Sequence, residues 1–270
     1  AAVRMTARAE GDGFVLDGVK MFVDAFPAAR HILVAARTAE PAPGREGLSL
    51  FLVDTDAAGL AETPLVSTAK DRHSKLTFEG VRVPASRLVG RLHEGWPVAE
   101  RMLDIGAVLL CAQMLGAARN DVEMGADYAK MREAFGQPIG AFQSIQHMCA
   151  DMLIWVDGGD LLTYEALWKI DEGLPYQVEV SQAKSFCNEK CLAAARTSQI
   201  IHGGIGFMMD LDLHLWYRRV VAWGMRLGTT YEHRARIARA LIDHPGDVVL
   251  GLPLPGTETD AEETPLRKTA

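Results

Sequence analysis

Basic residues are the scarcer charge in this chain. Its 28 Lys and Arg stand against 35 Asp and Glu, a net charge of −7, which argues against a nucleic-acid surface. The N-terminus has no basic-then-apolar signal pattern, and no apolar run is read as long enough to span a membrane. Cysteine is also scarce: Cys111, Cys149, Cys187 and Cys191, all in helical-looking sequence. Cys187 and Cys191 are one helical turn apart, but no two further ligands lie near them, so no metal site is expected. They read as buried or half-buried thiols of a reducing compartment, consistent with a cytoplasmic protein. No internal repeat is present. What is plentiful is apolar sequence: 49% of 270 residues, a globular composition with enough chain for one large domain or two modest ones.

The hydrophobic period divides the chain. Up to about residue 93 it is that of strands. "GDGFVLDGVKMFV" alternates around Asp17-Gly18, which suggests a hairpin. "HILVAART" and "LSLFLVDTD" are short apolar runs separated by a Pro/Gly loop, and "KLTFEGVRVPASRLVG" points Leu76, Phe78, Val81 and Val83 inward. From Glu94 the period becomes 3.6. Helices are expected from near Pro97 to Met131, Phe142 to Asp171 and Tyr176 to His202, then two shorter ones split at Gly228. Apolar positions of the first recur at Met102, Ile105, Leu109, Ala112 and Gly116. The expected fold is α+β, mostly α: a partial antiparallel β domain over 1–93, an antiparallel four-helix-type bundle over 94–246, and a flexible Pro-, Thr- and acid-rich tail over 247–270.

One interruption is richer than a turn requires. Between two long helices stand Arg132, Phe135, Gly136, Pro138, Gly140, Phe142 and Gln143. A surface turn needs one Gly or one Pro. A guanidinium can pair with phosphate oxygens through two parallel bonds, a ring can stack on a base, and glycines let backbone approach a ligand. Taken alone, Arg132 also reads as a solvated helix-end charge and Phe135 as a core ring.

Three stretches carry a family resemblance: residues 132–143 with "QHMCADM" after them; "IIHGGIGF" at 200–207 with "DLHLWYRR" after it; and "LDGVKMFV", "GLSLFLVDTD" and "FEGVRVPASRLVG" in the β unit. In this order they cover nearly the whole chain, and together they resemble the acyl-CoA dehydrogenase family. "KMFVDA" and "DLHLWYRR" are similar to subunits of actinobacterial heteromeric members. The resemblance implies an FAD enzyme oxidising the Cα–Cβ bond of an acyl-CoA thioester. A carboxylate removes the α proton and FAD accepts the β hydride. It implies a homo- or hetero-oligomer and electron-transfer flavoprotein or a similar acceptor. It further implies that Arg132 and Phe135, with Phe142 and Gln143 beside them, reach the FAD of a neighbouring subunit. Gly203 and Gly204 would face its adenosine half, Thr229 its pyrophosphate, and Phe22 its ring. His202 reads as a helix cap, and Arg218 and Arg219 as salt-bridge partners within the bundle.

The sequence also departs from that family. It begins inside the β domain, so the N-terminal helical domain is expected from a longer polypeptide or from another chain. The two places where members keep the catalytic carboxylate fall on Leu227 and, counting back from Phe135, on Gly106 and Ala107. None of these takes a proton. Gln113 stands where related sequences have Glu, and an amide is no base. Three carboxylates remain, Glu100, Asp104 and Glu232, each also readable as an ordinary solvated or paired charge. Asp104 is the first choice for a base in this chain. The alternative is a non-catalytic partner that completes a neighbour's FAD site, and other chemistry on a CoA ester or a nitroalkane stays open. The family's flavin-contacting Gln aligns with Ile200, with Gln199 shifted by one. Asp24 replaces a Thr that donates to flavin.

Overall fold

The structure, a computed structural model, describes residues 3–39 and 45–243. The expected flexible tail, 247–270, lies outside the described residues. Strands β1 (Thr6–Glu10), β2 (Gly13–Asp24), β3 (His31–Arg37), β4 (Leu48–Asp54), β5 (Leu60–Leu65), β6 (His73–Pro84) and β7 (Leu88–Val89) form one sheet in the order β5-β6-β2-β1-β3-β4-β7. All pairs are antiparallel except β1 with β3, which meet in parallel at Thr6 and Arg37. The sheet is therefore mixed rather than purely antiparallel.

The expected hairpin is displaced. Its turn lies at Gly11-Asp12, where Gly11 has φ +62°, and Asp17-Gly18 sits inside continuous β2. Gly18 opposes Phe78 while Leu16 opposes Val81, so β6 carries one extra residue there. That bulge holds Gly80 at φ +63°, and the Gly80 N–H donates to Asp17 Oδ1 at 2.7 Å. The bulge resets the alternation of β6, which is why Leu76 and Phe78 but then Val81 and Val83 all point inward. All four are buried, as expected, against Met5, Leu16, Val34 and Phe51.

Helices α1 (Trp96–Met131), α2 (Gln143–Asp171), α3 (Gln177–His202), α4 (Leu213–Gly224) and α5 (Thr230–Asp243) follow. Gly95 seats α1 on the sheet. Its N–H donates to the Leu48 carbonyl at 2.7 Å, and a Cβ there would lie 2.9 Å from Ser49 Cα. Met152 lies by Gly125 and Leu115 by Gly159, so α1 and α2 run antiparallel; Lys169 meets Glu179 and Thr163 meets Cys187, so α2 and α3 do as well. Helix α3 is central and touches the other four.

The face assigned to α1 is corrected. Met102, Leu109, Ala112 and Gly116 are exposed, while Ala107, Val108, Cys111, Met114, Leu115 and Ala118 form the bundle core. This helix is apolar on more than one side, so its periodicity does not single out the core face. It is also long and apolar enough, by length and composition, to cross a membrane, contrary to the expectation; half of that window is buried inside the bundle.

Asp121 of α1 is fully buried, and neither carboxyl oxygen has a hydrogen-bond partner among the described residues. The Ser198 hydroxyl donates to the Asp121 backbone carbonyl instead. Burial pushes this carboxyl from its ordinary 3.8 up to about 8. Unfolded chain releases the proton near 3.8 and folded chain keeps it to about 8. Stability is therefore full below the lower value and is lost as pH rises to the upper one, by up to about 1.4 kcal/mol per pH unit. Thermal unfolding of wild type against Asp121→Asn between pH 4 and 9 should show this slope in the wild type only. Parallel curves would show that Asp121 does not hold a proton in the fold.

Candidate functional site

The segment between α1 and α2 is a small arm. Glu133–Ala134 pairs with Gln137–Pro138 around Phe135 and Gly136, at φ +55° and +81°. The left-handed turn pushes the Phe135 ring outward, 95% exposed, where it meets Phe142 edge-on at 6.0 Å. Gly140 lets the arm press on α1, since a Cβ there would lie 3.0 Å from the Ala129 carbonyl oxygen. Arg132 is exposed and makes no ion pair among the described residues. Gln143 is exposed at the start of α2. At the end of α3, Gly203 stops the helix at φ +62°, and the Cβ positions of Gly203 and Gly204 face open space. His202 is buried, its Nδ1 2.7 Å from the Ser198 carbonyl and its ring stacked on Tyr128. Gln199 is buried while Ile200 faces outward, as a shift of one residue, about 100° of helix, requires.

A cleft of about 550 Å³ separates the β unit from the bundle. Asp24, Asp71, Gly106, Gln113, Arg226 and Leu227 are among its lining residues. Gly106 and Leu227, distant in sequence, meet here: a Cβ on Gly106 would lie 3.2 Å from Leu227 Cδ1. Phe22, Ala25 and Leu227 have positive φ, so strained backbone gathers around the cleft. Phe22 is exposed and touches His73 edge-on.

Charges cross this cleft. Arg226 of the α4–α5 turn is paired with Asp24 of β2. His73 Nδ1 lies 3.0 Å from Asp24, at ion-pair distance but out of hydrogen-bond alignment, and Trp223 Nε1 donates to Asp71 at 3.2 Å. Three buried donors hold the turn from behind. Lys184 Nζ donates to the Trp223 carbonyl at 3.1 Å and to Asn188 Oδ1 at 2.5 Å; Asn188 Nδ2 donates to the Gly228 carbonyl; His233 Nε2 donates to the Leu227 carbonyl at 2.9 Å. Burial lowers the pKa of both Lys184 and His233. Sequence reading missed Arg226, Asp71, His73, Lys184 and His233. For Lys184 a signal was present, since it falls in helical register with the apolar positions 180, 187, 191 and 194.

The expected carboxylates have other partners. Asp104, the first choice, is 2% exposed and does not line the cleft. Both its oxygens accept from Arg236, at 2.7 and 3.1 Å. Glu100 accepts from Arg45 at 3.1 Å. Glu232 accepts from the Thr229 N–H and hydroxyl at 2.8 and 2.9 Å, while the Glu232 N–H faces Thr229 Oγ1 at 3.4 Å. This is a capping box for α5, and those hydrogen bonds lower the pKa of Glu232. Thr229 thus uses its hydroxyl in the cap. Among the described residues Arg218 and Arg219 form no salt bridge, contrary to the expectation: Arg218 contacts Met209 sulfur and Arg219 lies over the Trp216 ring.

Comparison with known proteins yields two family profiles. "Acyl-CoA dehydrogenase, C-terminal domain" matches residues 93–242, and "Acyl-CoA dehydrogenase, middle domain" matches residues 1–81. A 3-(aryl)acrylate reductase of Clostridium sporogenes is 33% identical over 89% of this chain and 64% of its own length. In a structure of the electron transferring flavoprotein of Acidaminococcus fermentans, one chain superposes with a TM-score of 0.86 at 30% identity, covering 89% of this chain and 64% of that one. A chain of the ChsE4-ChsE5 complex from Mycobacterium tuberculosis does so with 0.80 at 31%, covering 88% and 62%. The chain thus spans somewhat less than two thirds of the length of these relatives.

The clamped turn predicts its own sensitivity. Gly228 sits at φ +107°, and a Cβ there would lie 2.4 Å from His233 Nε2. Gly228→Ala should lower unfolding stability by about 1–3 kcal/mol, measured by chemical denaturation. A change within error would show that the turn tolerates rearrangement.

Proposed function

The chain belongs to the acyl-CoA dehydrogenase family, and from that premise we propose that it is a subunit of an FAD-dependent acyl-CoA dehydrogenase and lends its arm to a flavin held mainly by another chain. The observation that carries this reading is Phe135, a large ring displayed almost entirely to solvent beside a guanidinium with no ion pair among the described residues. Such a pair suits a dinucleotide: Arg132 would hold phosphate oxygens, and Phe135 with Phe142 would offer ring surfaces to a base. Gly203 and Gly204 leave room for a ligand to approach their backbone. When bound, FAD supplies the acceptor for the β hydride of an acyl-CoA thioester.

The cleft fits a flavin ring less well. Asp24 is paired with Arg226 across it, so a neutral hydrogen-bond donor is missing where the family places one. Proton removal next to a thioester needs a carboxylate. The cleft where Gly106 meets Leu227 is lined by two carboxylates, but Asp24 is paired with Arg226 and Asp71 accepts from Trp223, and Glu100, Asp104 and Glu232 are each held by a partner. This favours a second reading within the first: the chain completes the FAD site of a different subunit, and that subunit supplies the base. A structural neighbour that is a complex of two chains supports a heteromer, and one from an electron transferring flavoprotein supports such an acceptor.

The test uses the chain purified with its natural partner. Arg132→Ala should weaken flavin binding about tenfold to a hundredfold, as expected for loss of a charge-assisted pair, read by flavin absorbance per complex. Unchanged flavin content would remove the role of the arm. Asp104→Asn should leave turnover intact in the flavin-loaded complex and lower stability, since it strands Arg236. Lost turnover with flavin retained would instead put the base in this chain.

A further inference from the structure

Asp121 stands where a carboxylate is costly to keep. It is 0% exposed, and among the described residues neither of its oxygens has a hydrogen-bond partner. The packed elements bring no charge to it. On α1 itself Glu123 is exposed, and Arg119 is turned to Asp157 and Asp160 of α2. Helix α2 meets this stretch through Met152, beside Gly125. In the second half of α3, Arg196 is exposed and the buried titratable groups are Cys191 and His202. Helix α4 carries His214, Tyr217, Arg218 and Arg219, with Arg218 on Met209 and Arg219 on Trp216. Burial is the one cause acting on the Asp121 proton. The carboxyl is therefore neutral in the packed bundle and ionises only where water reaches it.

Its position gives that proton a place to act. Asp121, Gly125 and Tyr128 succeed one another at steps of four and three on the face of α1 turned to α3. The Ser198 hydroxyl donates to the Asp121 carbonyl at 2.7 Å, and a Cβ on Gly125 would lie 3.2 Å from the same hydroxyl. The Tyr128 ring stacks on His202 with centroids 4.5 Å apart. Both helices then end. The Arg132 N–H donates to the Tyr128 carbonyl at 2.8 Å and leads into the arm, while Gly203 follows His202 and opens the glycine loop. Arm and loop are thus anchored on one seam, and the buried acid lies about two turns behind the anchor.

We infer that this end of the α1–α3 seam is a proton-linked latch: it stays shut with Asp121 protonated, and parting it admits water, releases the proton and frees the arm and the glycine loop together. With the seam parted the carboxyl ionises near 3.8; with the seam shut it keeps its proton to about 8. Between these values each pH unit raises the parted fraction about tenfold, and above the upper value the rise stops. A ligand that grips both arm and loop opposes the parting, so alkali favours its release. That use of the latch rests on the flavin reading above, and the latch itself does not.

The test is amide hydrogen exchange, read by mass spectrometry on the chain purified with its natural partner, first with flavin removed and then with flavin restored. Rates between pH 6 and 8 are divided by the intrinsic chemical rates, which leaves the parted fraction. Without flavin, peptides covering 121–135 and 196–207 should gain about tenfold per pH unit, and sheet peptides such as 76–83 far less. Asp121→Asn, which keeps the shape and removes the acid, should flatten the slope, and so should Asp121→Ala. Restored flavin should slow both peptides together. If it leaves them unchanged while the slope persists, the flavin reading fails and the latch stands. The inference is overturned if the flavin-free peptides show no slope, if the slope survives both substitutions, or if the sheet peptides share it in full, since the proton would then belong to unfolding of the whole chain.

Discussion

Thirty-six residues of mostly apolar helix cannot hide every side in a bundle of this size, and much of the molecule follows from how α1 divides its surface. One side, at Val108, Cys111, Met114 and Ala118, packs on its neighbours and makes the core. Another, at Gly106, Leu109, Leu110 and Gln113, becomes a wall of the cleft against the β unit. Helix α2 repeats the division, with its surplus turned to solvent. Apolar surface of this extent is uncommon on a protein that works alone. The cleft wall and the exposed side of α2 are two forms of the same excess.

The cleft is built more firmly than its chemistry requires. A buried ammonium is costly unless its donors are used, and Lys184 uses them on a carbonyl and on the amide that in turn holds Gly228. With His233 on Leu227, the turn between α4 and α5 is fixed at three successive points. Yet the side chain it presents at the junction with Gly106 is a leucine. The turn is firmly held while Leu227 offers no proton acceptor, and the guanidinium of the neighbouring Arg226 is paired with Asp24.

Much of this was legible in sequence because the change of period near Gly95 and the glycine and proline punctuation are local signals. The helix ends at Met131, Asp171 and His202 stand where glycine or proline follows. Gly106 and Leu227, the two positions singled out in sequence, lie side by side at the cleft. What was not legible depended on partners far along the chain. Asp17-Gly18 has the composition of a turn, and only its pairing across to β6 makes it part of a strand. Asp104 looks like an available acid until Arg236, 132 residues later, closes on it. The core face of α1 was misread because apolar residues surround that helix, and only packing distinguishes the sides.

The length of α1 sets a distance as well as a surface. Gly106 stands at the cleft and Arg132 just past the far end of the same helix, 26 residues on. At 1.5 Å per residue this is about 39 Å of continuous rod. The arm therefore stands well away from its own chain's cleft. The helix acts as a ruler: the spacing between the arm and this chain's own cleft is fixed by its length, and one helical turn more or less would change it by about 5.4 Å.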